Sequence, residues 1–286
     1  MTRRKTLKEL TIKDNFMFGA VMCNEDLCRQ LLELILGFSI ERVEVSKEKC
    51  MVYHPEYKGI RLDVYARDVN NTHYNVEMQA LADPALGRRA RYYHIQIDMD
   101  LLNTGRDYEE LPNAYVIFIC DFDPFGYGKY RYAFRRQCIG FSDFELADGS
   151  ETIFLSTKGC DDRDVCPELV KFLDYVGANL EESTSDFKDE FVEKLQKKVS
   201  DIKLSRRMEE RYMLTELLMR DERRAGRAEG RIEGLKRSIL VLLDGFGTLP
   251  EELKNKIEQE MVQEQVEQWI KLAASVDSIE QFIKEM

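Results

Sequence analysis

Apolar positions recur at helical spacing between Leu27 and Ile35, where Leu27, Leu31, Leu34 and Ile35 fall on one face. Asn24 in front of them supplies an N-cap, and Glu25 and Asp26 suit the positive end of a helix dipole. Gly37 behind them is a natural stop. A weaker extended region follows, roughly Val43–Tyr53. The period then changes to two. From Gly59 to Arg67, Ile60, Leu62, Val64 and Ala66 alternate with Arg61, Asp63, Tyr65 and Arg67. From Tyr74 to Ala80, Tyr74, Val76, Met78 and Ala80 alternate with Asn75, Glu77 and Gln79. Asn70 and Asn71 between the two runs have turn composition. The pattern predicts a hairpin of two half-buried strands.

A further helix is expected from about Pro84 to Asn103, with Pro84 near its first turn and Gly105 past its end. Ala114–Phe122 is a nearly continuous apolar run, as in a central strand covered on both faces, and Asp123-Pro124 ends it. Strands are also expected near Lys129–Gln137 and Thr152–Ser156. From about Pro167 the chain reads as mostly helical. Phe187–Leu218 is long, charged and amphipathic, and a terminal helical pair is split near Gly245–Pro250. Gly226, Gly230 and Gly234 are four apart on one helix face. Such a row either lets another helix approach closely or weakens the segment as a hinge, since each Gly costs a helix about 1 kcal/mol relative to Ala.

Composition adds a division. The chain has 286 residues, one large domain or two ordinary ones. It is 44% hydrophobic with only 6 Pro and 16 Gly, which excludes collagen-like and wholly disordered classes. Before about residue 157 it is aromatic and β-branched; beyond, it is rich in Glu, Lys, Leu, Met and Arg, which favour helix. Two regions are therefore expected: 1–160 as a mixed domain, and 161–286 as a helical part serving oligomerisation or regulation. The net charge of −11 denies the chain a global basic field, while a local basic cleft stays compatible with it. The opening MTRRKTLKEL lacks an apolar core, so no signal peptide is expected. Seven cysteines, an odd number without a CxxC pair, fit reduced thiols in the cytoplasm. No apolar stretch approaches the ~20 residues of a membrane helix.

The chemistry begins with the polar faces of the predicted hairpin. Asp63 lies on one strand, Glu77 and Gln79 on the next. Polar residues there are usually solvated. Brought together, however, two carboxylates make a hard, oxygen-rich site suited to Mg²⁺, and a bound divalent ion activates water and offsets charge on a phosphate.

In order and spacing these segments resemble the PD-(D/E)XK nuclease superfamily, specifically the Rpn-type recombination-promoting nucleases, often labelled putative transposases. The residues that carry the likeness are KDNFMF (Lys13–Phe18), GIRLDVYARD (Gly59–Asp68), YNVEMQA (Tyr74–Ala80), the helical run Arg88–Leu111 and the strand Val116–Phe125, within about residues 9–157. The resemblance implies an α/β fold: a restriction-endonuclease-like αβββαβ core, here with a mostly α-helical C-terminal extension. It implies a metal-dependent DNA endonuclease with Mg²⁺ as cofactor, Mn²⁺ as a substitute, and a role in recombination, mobile elements or defence against foreign DNA. Asp63 and Glu77 take the places of the metal acids. Gln79 stands where the wider superfamily has Lys, and a neutral amide orients by hydrogen bonds alone. Asp14 matches an N-terminal acid, either a further metal ligand or a helix N-cap.

Arg88, Arg89 and Arg91 on the following helix are candidates for DNA phosphates or for surface ion pairs. Tyr92 and Tyr93 are expected to support the core or the site. Arg131, Arg135 and Arg136 form a second candidate phosphate patch. His54, His73 and His94 are scattered and expected to be structural. The absence of HExxH, GxxxxGK[ST] and GxSxG removes zinc protease, nucleoside triphosphatase and α/β-hydrolase readings. A DNA-binding module without cutting, and a scaffold working through the helical tail, are the alternatives. A nuclease that cuts both strands gains from two active sites, so a homo-oligomer through the C-terminal helices is expected.

Overall fold

The structure is a computed structural model that describes residues 5–47, 50–51 and 59–286. Tyr53 and His54 lie outside the described residues. The elements run α1 (Asn15–Met22), α2 (Glu25–Leu36), β1 (Val43–Lys47), β2 (Cys50–Met51), β3 (Ile60–Arg61), β4 (Val64–Asp68), β5 (His73–Gln79) and α3 (Leu86–Leu101). Next come β6 (Ala114–Cys120), β7 (Arg131–Phe134), β8 (Gln137–Cys138), β9 (Phe141–Glu145) and β10 (Ser150–Ser156). The rest is helical: α4 (Pro167–Gly177), α5 (Glu190–Leu204), α6 (Arg206–Asp244), α7 (Glu251–Gln259), α8 (Gln263–Ala273) and α9 (Ile279–Glu285).

The main sheet has the order β1-β4-β5-β6-β10-β7. Strands β5, β6 and β10 are parallel; β1, β4 and β7 are antiparallel to their neighbours. Parallel strands need a long crossover, and α3 supplies the one between β5 and β6. This mixed α/β architecture, with a mostly helical C-terminal region, agrees with the fold that the resemblance implies.

Local signals set the ends of α2. Asn24 Oδ1 accepts the Leu27 N–H at 3.0 Å, and Gly37 takes φ 77°, the left-handed stop that glycine adopts without strain. Asn24→Ala is expected to lower stability by about 1 kcal/mol, seen as a lower urea midpoint at unchanged slope.

Two extended segments differ from their one-dimensional pattern. Gly59–Arg67 alternates as one strand, but the chain bends at Leu62–Asp63. β3 pairs with β2 in a separate ribbon, and β4 pairs with β1 and β5. The second difference is burial. The expected half-solvated β5 is buried along His73–Met78, polar residues included, with only Gln79 partly open. Helix α3 covers that face. Tyr65, Val116, Phe118 and Phe154 from the sheet pack with Leu86, Ala90, Tyr93 and Ile97 from the helix.

Contacts divide the chain into Met1–Glu209 and Glu210–Met286. That division falls later than the compositional break at residue 160, because α4 and α5 pack with α1 and α2. Phe187–Leu218 is not one helix: Ser205 separates α5 from α6. α6 runs unbroken through Gly226, Gly230 and Gly234, and a Cβ at each would meet open space, so no close helix approach explains them among the described residues. The second unit has its own core, with Ile239, Leu243, Ile257, Val266, Trp269 and Phe282 buried together. Beyond Gly245–Pro250 there are three short helices rather than the tail of a pair. Among the described residues no helix is long and apolar enough to cross a membrane.

Candidate active site

The bend before β4 is what makes Asp63 available. Leu62 is fully buried and anchors it, and Asp63 turns toward β5. Two reciprocal hydrogen bonds then lock the acids together. The Asp63 N–H donates to Glu77 Oε1 at 3.1 Å, and the Met78 N–H donates to Asp63 Oδ2 at 3.1 Å. Glu77 is 1% exposed, beneath α3.

Arg89 reaches down from α3 to the same place. Its Nη2 donates to Glu77 Oε2 at 2.9 Å and its Nη1 to Gln79 Oε1 at 2.9 Å. Its Nε donates to Tyr93 Oη at 2.7 Å, and the guanidinium lies 5.4 Å from the centre of the Phe118 ring. The amide of Gln79 donates in turn to the Leu81 carbonyl at 2.6 Å. Of the three arginines grouped on sequence, Arg89 faces inward with Leu86, Ala90 and Tyr93, while Arg88 and Arg91 face solvent. A spacing of three and four residues from Leu86 to Arg89 to Tyr93 is the signal that separates it from its neighbours.

At the start of α1 it is Asn15 rather than Asp14 whose side chain reaches Asp63. Asp14 stands at the N-cap position of α1, yet its side chain caps no helix N–H. Its carboxylate accepts from the Thr11 N–H and from Lys5 Nζ, both at 2.7 Å. Asn15, its neighbour, places Nδ2 3.3 Å from Asp63 Oδ2. Lys13 goes elsewhere, to Asp121 at 2.9 Å. Among the described residues no three His, Cys, Asp or Glu side chains gather as a metal cage.

The electrostatics of the pair follow from its burial. Loss of water raises the Glu77 carboxyl to about 7, and the nearby Asp63 charge adds to the rise. Burial also raises Asp63; the Met78 N–H, Arg89 and Asn15 pull the other way without cancelling it. Two buried carboxylates thus share one ion-paired guanidinium, Arg89, with Arg61 adding a weaker attraction at Asp63. That donor set fits a hard divalent cation, which Asp63 and Glu77 would hold.

The other candidates are engaged structurally. His73 shares a 2.6 Å hydrogen bond with the Tyr65 hydroxyl, and His94 a 3.0 Å bond with Thr152 Oγ1. Arg135 is tied to Glu151 at 2.8 Å, Arg131 lies 3.6 Å from Glu151, and Arg136 pairs with Asp148. The second arginine patch is thereby matched by its own acids.

The chain matches the model of the PD-(D/E)XK nuclease family transposase over residues 15–228, from the start of α1 into α6. No curated protein and no solved structure matches it.

Proposed function

This chain belongs to the PD-(D/E)XK nuclease family transposases, and from that premise we propose that it is a metal-dependent DNA endonuclease hydrolysing phosphodiester bonds at Asp63 and Glu77. The observation that supports this most is the clamped, buried acid pair, with Arg89 its one ion-pair partner among the described residues. A bound Mg²⁺, or Mn²⁺ in its place, supplies charge neutralisation and a more acidic water. Asp63 and Glu77 would hold the ion. Gln79 orients water or phosphate by hydrogen bonds, in the place where the wider superfamily has Lys. Arg89 is a positioning residue, because one guanidinium sets the rotamers of both Glu77 and Gln79. Plasmid nicking in Mg²⁺ or Mn²⁺ tests the reading; purified wild type that nicks in neither ion overturns it.

Arg88 and Arg91 are the phosphate-binding part of this proposal, being exposed on the helix that carries Arg89. The double change Arg88→Gln with Arg91→Gln is expected to weaken DNA binding for all sequences alike. The slope of log K against log salt should shrink by about 0.9 for each lost phosphate contact, measured by anisotropy titration from low to moderate salt. An unchanged slope would remove both residues from the interface.

A homo-oligomer through the C-terminal helices is part of the same reading, supported by Leu214, Leu217 and Leu218, which α6 leaves exposed. One observation favours a second reading. Arg89 already serves Glu77 as counter-ion, as it would in a module that grips DNA without cutting. That reading predicts DNA binding by wild type with no nicking in any metal.

A further inference from the structure

Between α3, β7 and β10 lies a cavity of about 340 Å³ that the acid pair does not use. Pockets for small ligands begin near this size, at roughly 300 Å³. Its apolar wall is aromatic. Phe154 on β10, Phe134 on β7 and Phe125 in the loop after β6 meet with ring centres 5.2 to 5.7 Å apart. Phe134 is 47% exposed and Phe125 39%, so ring surface is turned to solvent rather than to the core.

The polar lining comes from Arg91 and His94 on α3, Ser150 and Thr152 on β10, and Arg135 and Arg136 after β7, the last two held by Glu151 and Asp148. His94 lines the cavity and is 7% exposed. Its Nε2 is occupied by Thr152, but its Nδ1 is buried with no hydrogen-bond partner. Burial draws the ring down to about 4, so the imidazole is neutral. Buried polar atoms are nearly always paired; this one is shielded from solvent behind the cavity wall, where the Glu151 backbone also bears on the ring. Arg91 stands at the mouth, exposed and without an ion pair among the described residues.

The cavity is close to the acids. Glu77 on β5 pairs in register with Phe118 on β6, and Phe118 with Phe154 on β10. Partners in register share a sheet face, and neighbouring strands are ~4.8 Å apart, so the cavity floor lies about 10 Å from Glu77. Helix α3 serves both places, with Arg89 at the acids and Arg91 and His94 at the cavity.

We propose that this cavity takes one unpaired nucleobase of the DNA strand whose phosphate lies at Asp63 and Glu77. The base stacks against Phe134 and Phe125, and Arg91 meets the adjoining phosphate. The substrate class that follows is DNA with a mismatched, bulged or single-stranded position, where no pairing energy opposes entry of the base. The inference rests on the nuclease reading, which brings the strand to this face.

The test is equilibrium binding in EDTA to three short duplexes of one sequence: fully paired, with a single bulged thymine, and with an abasic residue in place of that thymine. The abasic duplex is as flexible as the bulged one but has no base to insert. Wild type is expected to bind the bulged duplex about tenfold more tightly than the abasic one, the scale of one stacked base. Gly87→Leu should abolish the difference. Gly87 lines the cavity, open space surrounds the site of its missing Cβ, and Leu is the better helix former, so this variant fills the recess and keeps the fold. Phe134→Ala, on an exposed edge strand, should act in the same direction. Equal affinity for bulged and abasic duplexes in wild type overturns the proposal. So does a preference that survives in both variants, because the base is then held elsewhere. Failure to bind any duplex at low salt overturns the nuclease reading together with the cavity, whereas a nicking enzyme with no bulge preference loses the cavity alone.

Discussion

Asp63→Asn and Glu77→Gln are each expected to lower plasmid nicking by roughly 10²–10³-fold or more, the scale at which removal of one preorganised electrostatic partner falls. The substitutions keep shape and most hydrogen bonds. An Asn carbonyl at position 63 can still accept from the Met78 N–H, and a Gln carbonyl at 77 can still accept from the Asp63 N–H. What is lost is one negative charge of the two available for a cation. DNA affinity should hold or rise, since a negative charge leaves the neighbourhood of the phosphates. Nicking assays in Mg²⁺ and Mn²⁺, with circular dichroism for folding and anisotropy for binding, separate these effects. Nicking at the wild-type rate by either folded variant would place the chemistry elsewhere.

The same acid pair has a large expected effect on stability. Burial pushes the Glu77 carboxyl up to about 7 in the folded chain, against an ordinary value of 4.5. A carboxyl raised by folding contributes stability that is fully present below about pH 4.5 and lost as pH rises through about 7. At about 1.4 kcal/mol for each unit, the loss is on the order of 3 kcal/mol across that window. Glu77→Gln mimics the protonated form at every pH. In EDTA the variant should therefore resemble wild type near pH 4.5 and unfold several degrees higher at pH 8. Mg²⁺ at pH 8 should close the gap by stabilising wild type alone, since the ion binds the ionised pair. Thermal melts at the two pH values check this. A gap that does not change with pH would mean Glu77 is ionised in the folded protein at no cost, with Arg89 a sufficient counter-ion.

Local features were legible where one short-range interaction decides them. The ends of α2 follow from Asn24 and Gly37, whose bonds and backbone angle involve only residues a few positions away. β5 was legible as a strand from its alternation, and β6 from its continuous apolar run. Asp63, Glu77 and Gln79 could be placed together because motif order supplied what periodicity lacks. Arg89 could not be told from Arg88 and Arg91 by residue type, and Asn15 was hidden behind the more conspicuous Asp14. In both cases the deciding fact is which way a helix faces. The small β8–β9 hairpin was also missed, because Gln137–Glu145 has no regular alternation.

The sequence by itself determined the α/β class, the helical C-terminal region, the candidate acids and the family, since each depends on local pattern or on the order of segments. Tertiary structure decided the rest. The bend at Leu62–Asp63 exists because β3 and β4 have different partners. The polar face of β5 is buried because α3 lies across it, and that burial, not the acids' identity, raises Glu77 toward neutrality. The cavity beside His94 needs α3, β7 and β10, which no single segment foreshadows. Alternation tells which residues share a face of a strand. What covers that face, and therefore the dielectric around its charges, is set by residues distant in the chain.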